Sequence, residues 1–308
     1  VTSADSGTTV VVVTWRGARH VTACLDALAA QQRPHRTLVV DNASDDGTAA
    51  LLAAHPSEPE VLRLRRNTGY AGAMAKALDR VETPFVAWLN DDAEPEPGWL
   101  AALEDTLASH PLAAAVTSRL ELADGSTQST GVRLTADGHG ADLTEPGDEV
   151  FGFCGGAALL RTEAVRAVGG VPAGFFCYYE DTDTAWRLRL AGWHVMFADA
   201  RVRHLHGAST RPGSPLFHRW NERNRLLMLL RCAPSVVAVR ELARFAVLTV
   251  LLPLRRHRPA AANFAPGLRW RVLAEVVLRL PATLRERRRV ARVSALDRGA
   301  IWQAWAGL

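Results

Sequence analysis

Val10–Thr14, four valines and a threonine without a polar interruption, has the pattern of a strand covered on both faces. Ala18–Ala30 then carries apolar residues at helical spacing, and Thr37–Asp41 returns to a short β-branched run. The alternation repeats: helices are expected at Gly47–Ala54 and Tyr70–Arg80, strands at Val61–Leu64 and Pro84–Leu89. Such a series predicts a βαβ arrangement with a parallel sheet, whose right-handed crossovers put ligands at the carboxyl ends of the strands.

A helix at Trp99–Ser109 and a strand at Ala113–Ser118 continue the pattern, which loosens into Gly-, Asp- and Thr-rich hairpins and loops over 119–150. Ala157–Arg161 reads as a strand, Asp181–Ala191 as a helix, and His194–Ala198 and Val202–His204 as two short strands. From Phe217 the chain reads as helix, with breaks at Pro234, Pro253–Pro259, Pro266 and Pro281. The expected organisation is a loose leader over 1–9, an α/β catalytic domain over 10–215, and a helical region over 216–308.

Composition refines this picture. Of 308 residues, 48% are hydrophobic and 22% charged, which excludes a disordered or collagen-like chain. Cys24, Cys154, Cys177 and Cys232 are dispersed without a CxxC pair, which argues against a zinc ribbon or disulfide framework and suits a reducing compartment. No signal-peptide pattern opens the chain. The net charge of +4 divides unevenly: residues 1–218 hold 18 basic and 27 acidic side chains, residues 219–308 hold 18 and 5. An acidic body and an arginine-rich tail suggest chemistry in the first and attachment in the second.

Four loops carry candidate chemistry. In VDNASDDGT (40–48) a strand ends in Asp41, an acceptor for a ligand N–H, while Asp45 and Thr48 equally suit helix capping. RNTGYAGA (66–73) precedes a helix whose exposed N–H groups suit phosphate, or is a turn that needs glycine. LNDDAEPEPGW (89–99) empties an apolar strand into adjacent carboxylates, which repel unless solvated or neutralised by a cation such as Mg²⁺ or Mn²⁺. FFCYYEDTDTAWRLRLAGW (175–193) sets Glu180, Asp181 and Asp183 at a helix start, where capping competes with a general-base role.

Together with CGGAALLR (154–161), YYEDTDTAWR (178–187), HLHGAS (204–209) and NERNRLL (221–227), these motifs resemble family-2 glycosyltransferases, particularly the rhamnosyltransferase-like branch, from Val10 to about Arg231. The resemblance implies a GT-A fold, Rossmann-like, with a mostly parallel sheet flanked by helices and followed here by the arginine-rich helical region. It implies an inverting, metal-dependent transfer of a sugar from a nucleoside diphosphate donor to a glycan or polyprenyl-linked acceptor. A rhamnose-type donor is favoured; a UDP-hexose or UDP-galactofuranose donor is the alternative within the fold.

Carried over by position, Thr14 and Asp41 line the base, Asn67 and Gly69 border the nucleotide, and Asn90-Asp91-Asp92 stands at the DXD-type motif. Asp91 then faces the ribose and Asp92 the metal, which His204 completes, with His206 as rival. Asp181 is the base. Glu180, Trp186, Arg187, Arg223 and Asn224 stand as acceptor-facing or supporting residues. Helical geometry agrees on one point: residues 181 and 183 project about 200° apart and cannot face one hydroxyl, leaving Glu180 to orient the acceptor or pair with Arg187.

A nucleotidyltransferase, the competing enzyme class, would show a glycine-rich loop with basic residues near the first strand, where VVVVTWRGAR offers one glycine and Arg16. No nucleic-acid motif accompanies the tail. The longest uncharged stretch within 235–254 is Phe245–Leu254, short of the about 20 residues that span a bilayer. Val272, Leu273, Val276, Val277 and Leu280 share one face of the next helix, and LRERRRVAR (284–292) is strongly basic. Such a tail suits an anionic membrane surface, packing on the body, or a homodimer contact. The expected location is cytoplasmic, peripheral on the inner face of the membrane.

Overall fold

The apolar runs become the centre of one twisted sheet with helices on both faces. The structure is a computed structural model describing residues 6–205, 213–254 and 259–307. Along the chain come β1 (Thr8–Thr14), α1 (Val21–Ala29), β2 (Arg36–Asp41), α2 (Thr48–Ala54), β3 (Glu60–Arg63), α3 (Gly69–Leu78) and β4 (Phe85–Asn90). Then follow β5 (Ala93–Pro95), α4 (Trp99–Ser109), β6 (Ala113–Glu121), β7 (Thr127–Ser129), the β8 (Val132–Leu134) and β9 (Gly140–Asp142) hairpin, β10 (Ala157–Arg161) and α5 (Thr162–Ala167). The remainder is α6 (Glu180–Leu190), β11 (His194–His204), α7 (Pro215–Cys232), α8 (Ser235–Leu251), α9 (Pro266–Val293) and α10 (Arg298–Trp305).

The strand order is β3-β2-β1-β4-β10-β6-β11-β5, with β7 on β6. The first half is parallel; β10 inserts antiparallel between β4 and β6, and β11 runs parallel to β6. Side chains alternate between faces. Val10, Val12, Val39, Ala87, Leu89 and Leu159 pack with α1, α2 and α4, whereas Val11, Val13, Val40, Trp88 and Leu160 pack with α3, α5, α6 and the C-terminal helices. Leu226, Leu227, Met228 and Leu229 of α7 are buried in that second core, as are Val272 and Val276 of α9.

Several expectations shift. β1 begins at Thr8, because Thr8 Oγ1 donates to Glu104 and Thr9 pairs with Thr83 at 2.8 Å, so both threonines are buried. The two short strands expected at 194–204 are one strand with an irregularity between Phe197 and Arg201, and β5 pairs with its end. The break expected at Pro281 is absent. α9 runs through it, because the proline withdraws one N–H from the carbonyl of Val277, whose residue is exposed and whose acceptor water can satisfy. α10 folds back on α6, stacking Trp302 on Trp186 with centroids 6.0 Å apart. Among the described residues no helix is long and apolar enough to cross a membrane.

Candidate active site

The register of the sheet brings three loops to one edge. Thr14 of β1 pairs with Asp41 of β2, and Val13 pairs with Asn90 of β4, so the residues after each strand meet at the carboxyl ends. Thr14 Oγ1 donates to Asp91 Oδ2 at 2.6 Å. A Cβ on Gly17 would lie 2.1 Å from that hydroxyl and 2.4 Å from the carboxylate, so the chain can turn here only without a side chain. Burial raises Asp91 to about 7, against the Thr14 bond that favours its charged form. Asp41 is fully buried: Oδ1 accepts from the Ser44 amide at 2.8 Å, while Oδ2 has no hydrogen-bond donor and faces the Arg63 guanidinium at 3.3 Å.

Asn42 ties this edge to the second loop. Its Nδ2 donates to Asn67 Oδ1 and to the Gly69 carbonyl, both at 3.1 Å, and its Oδ1 accepts from the Thr68 amide at 2.8 Å. Asn67 Oδ1 also accepts from the Gly69 amide. Gly69 has a φ of +74° and sits where a Cβ would be 2.1 Å from the Phe176 carbonyl, which in turn accepts from the Ala71 amide. Glycine at 69 thus permits a close backbone approach between the second and fourth loops. Sequence reasoning misses Asn42; its tie to residues 67–69 is long-range, and only its place beside Asp41 hints at it.

At the third loop, Asp92 Oδ1 lies 3.1 Å from His204 Nε2, both side chains nearly buried. β11 delivers the histidine: it pairs with Ala93 in the β5–β11 ladder, and the Leu205 amide donates to the Asp92 carbonyl. Gln128 Oε1 lies 2.8 Å from His204 Nδ1, and Asn90 Nδ2 lies 3.1 Å from Nε2. Burial pushes Asp92 up, but the His204 hydrogen bond and charge outweigh it, so the carboxylate is held below its usual value. Gln128, from β7, is a second residue the sequence does not reveal. His206 lies outside the described residues, as do Arg255, Arg256 and Arg258.

The Gly155-Gly156 pair joins these loops to α6. The Gly156 carbonyl accepts from the Asn90 amide at 3.0 Å, and the Gly155 amide donates to Asp181 Oδ2 at 3.0 Å. Tyr70 Oη donates to the Gly155 carbonyl. Asp181 Oδ1 accepts from the Thr182 amide and hydroxyl, and burial raises its carboxyl against these three donors. Glu180 Oε2 is buried without a hydrogen-bond partner; burial first, then the Asp181 charge, raise its carboxyl to about 8.

Asp183 points the other way, as the helical geometry requires. It binds Arg187 at 2.8 Å and Arg231 at 3.2 Å, all three buried. Arg187 therefore pairs with Asp183, one turn away, and not with Glu180; its remaining nitrogens donate to the Val168 and Gly170 carbonyls. Trp186 is in the core against Phe151 and Trp302.

Asn224 and Arg223 of α7 reach the stretch before α6. Asn224 Nδ2 lies 3.0 Å from the Phe175 carbonyl and 2.8 Å from those of Cys177 and Tyr178. Arg223 also donates to the Phe175 carbonyl and binds Glu275 of α9 at 3.1 Å. These contacts hold a backbone with φ near +70° at Phe176, Tyr178 and Tyr179, an arrangement non-glycine residues rarely adopt.

The glycosyl transferase family 2 model matches residues 9–169. The chain is similar to the N-acetylglucosaminyl-diphospho-decaprenol L-rhamnosyltransferase of Mycobacterium tuberculosis, 28% identical over 235 residues that span 65% of this chain and 76% of the relative. A pre-mycofactocin glycosyltransferase of the same organism is 30% identical over 200 residues, 61% of this chain and 41% of that protein. GalNAc-T7, solved with UDP, GalNAc and Mn²⁺, superposes with a TM-score of 0.63 at 11% identity over 90% of this chain and 57% of that one. The Pyrobaculum calidifontis mannosyltransferase PcManGT, solved with GDP-Man and Mn²⁺, gives 0.53 at 20% identity over 97% and 79%. These likenesses show a GT-A fold.

Proposed function

The chain belongs to glycosyl transferase family 2 and is a glycosyltransferase, and from that premise we propose that it inverts the anomeric carbon as it moves a sugar from a nucleoside diphosphate to an acceptor hydroxyl. The acceptor oxygen forms its bond to that carbon as the bond to the diphosphate breaks; the hydroxyl proton passes to Asp181, and the bonding pair leaves with the diphosphate. The observation that carries the reading is the Gly155-Gly156 link. One dipeptide fixes both the Asp181 carboxylate and the start of the Asn90-Asp91-Asp92 loop, so acceptor base and donor end are held in register.

The donor groups divide by chemistry. Asp41 Oδ2, a buried acceptor without a hydrogen-bond donor, suits the ring N–H of a uracil or thymine. Thr14 and Asp91 then border the ribose, with Asn67 beside the nucleotide. A divalent cation fits Asp92 and His204. Gln128 at His204 Nδ1 orients the ring so that Nε2 faces the Asp92 carboxylate 3.1 Å away, and a bound cation would take the place of the hydrogen bond that joins them in its absence. Mg²⁺ or Mn²⁺ held by Asp92 and His204 would supply Lewis-acid neutralisation of the leaving diphosphate.

Similarity to a transferase named for L-rhamnose and a decaprenol-linked acceptor favours a rhamnose-type donor and a lipid-linked acceptor. The test is a panel of nucleotide sugars with Mn²⁺, read as transfer and as thermal stabilisation, with the product's anomeric configuration determined. Asp181→Asn is expected to keep donor-induced stabilisation and lose at least ~10² in kcat. Retained anomeric configuration, or near-normal turnover in that variant, refutes the mechanism.

A further inference from the structure

Sequence periodicity draws attention to the apolar stripe of α9, but Val272 and Val276 of that stripe are buried against the body. α9 still exposes Trp270, Val277 and Leu278, but α8 carries a row of exposed apolar side chains that runs the length of the helix. Its inward face, Val237, Glu241, Phe245 and Thr249, packs against the rest of the protein. Its outward face carries Val236 (79% exposed), Val239 (63%), Val247 (56%) and Val250 (54%), and ends at Leu254 (79%) in the short turn that follows. At 100° per residue the four valines fall within a sector of about 80°, so they form one stripe along the helix. The side chains of Arg240 and Arg244 stand exposed along one edge of it. The acidic residue of α8, Glu241, is buried and pairs with Arg225, Arg240 and Arg244, so one carboxylate meets three guanidiniums and the edge keeps a net positive charge.

We propose that this face of α8 docks on an anionic lipid surface, with the valines and Leu254 at the boundary of headgroup and acyl chain and Arg240 and Arg244 among the headgroups. The shape is that of an amphipathic helix lying in a membrane interface: an apolar stripe edged by cations, carried on a helix whose other face is anchored in the protein. Charge decides against a second copy. Arg240 and Arg244 edge the stripe within a region, residues 219–308, of 18 basic and 5 acidic side chains, so a two-fold pairing through α8 would bring like charges together, whereas anionic lipid complements them. Docking here is separate from the transfer reaction and does not depend on its donor, since it uses the side of α8 that faces away from the protein core.

The test is co-sedimentation of the full chain with phosphatidylglycerol and with phosphatidylcholine vesicles, at low and high salt, beside a Val239→Glu/Val247→Glu/Val250→Glu variant. All three positions are exposed, so the variant is expected to keep the wild-type melting temperature and the wild-type stabilisation by nucleotide sugar. The proposal expects binding to phosphatidylglycerol at least tenfold stronger than to phosphatidylcholine, weakened by salt, and at least tenfold weaker in the variant. Equal binding of variant and wild type, or no preference for the anionic vesicle, overturns it. So does a concentration-dependent dimer in sedimentation equilibrium that the variant abolishes, which would give the face to a second copy. Because nucleotide stabilisation is read separately, failure of lipid docking is distinguishable from failure of the proposed transfer function.

Discussion

Replacing Asn224 by aspartate would remove the donors that hold the entry to α6 while changing almost nothing in shape. Its amide faces three carbonyls at 2.8–3.0 Å from a fully buried position. A neutral hydrogen bond contributes about 1 kcal/mol net, and a buried carbonyl left without a donor costs about 1–3 kcal/mol. The backbone it restrains holds Phe176, Tyr178 and Tyr179 at φ of 69–70°, at a cost of about 1–2 kcal/mol per residue. With the amide gone, releasing even two of these residues outweighs what Arg223 alone retains at the Phe175 carbonyl. Relaxation would displace Glu180 and Asp181, the next two residues. A loss of ~3 kcal/mol of positioning corresponds to ~10² in kcat. The proposed donor residues Thr14, Asp41, Asp91 and Asp92 lie at the ends of β1, β2 and β4, and only the Asn67–Gly69 turn touches Phe176, so KM for the nucleotide sugar is expected to change less than about threefold. Steady-state kinetics, with calorimetric donor titration to count competent sites, separates this from simple unfolding. A fully folded Asn224→Asp protein with kcat within about twofold of wild type would refute the reasoning.

Gln128→Leu is expected to weaken Mn²⁺ activation by ~10–100-fold, because His204 loses the partner of its Nδ1; an unchanged Mn²⁺ titration would remove Gln128 from the site. The Glu180 carboxyl, raised to about 8 when folded from an ordinary 4.5, takes up protons on folding, so it lowers stability progressively as pH rises from 4.5 to about 8. Glu180→Gln should therefore raise the melting temperature at about pH 9 and make little difference near pH 4.5, with a flatter pH profile between. A variant less stable than wild type at the alkaline end would show that the folded protein stabilises the carboxylate and would refute the raised Glu180 carboxyl.

The sheet was legible wherever a local pattern decided the outcome. Trp99–Ser109 and Ala157–Arg161 are found at their expected bounds because the apolar pattern of each left no competing assignment. β5 was not legible: Ala93-Glu94-Pro95 has no strand pattern and exists because β11 pairs with it, with Arg203 bound to Glu94. Asp199 interrupts the apolar alternation of β11, so one irregular strand reads as two. The site divides in the same way. Thr14, Asp91 and Asp92 are visible as strand-end residues, whereas Gln128, Asn42 and the three-carbonyl grip of Asn224 depend on contacts between distant segments. Glu180, seven residues before Arg187, is an expected partner of that arginine, but the i,i+4 spacing to Asp183, which Arg231 also joins, prevails.

The place of β10 has a consequence for synthesis of the chain. It lies between β4 and β6, although both are made before it. Until residue 161 has left the ribosome, β4 presents an open edge of Val86, Ala87, Trp88 and Leu89 with unpaired backbone groups, which neighbouring nascent chains can join. The indole of Trp186 waits longer still for its cover, since Trp302 of α10 is made far downstream. The period of greatest aggregation risk is therefore set by translation speed across the middle of the message, and slowing elongation there should lengthen dependence on chaperones without altering the finished protein.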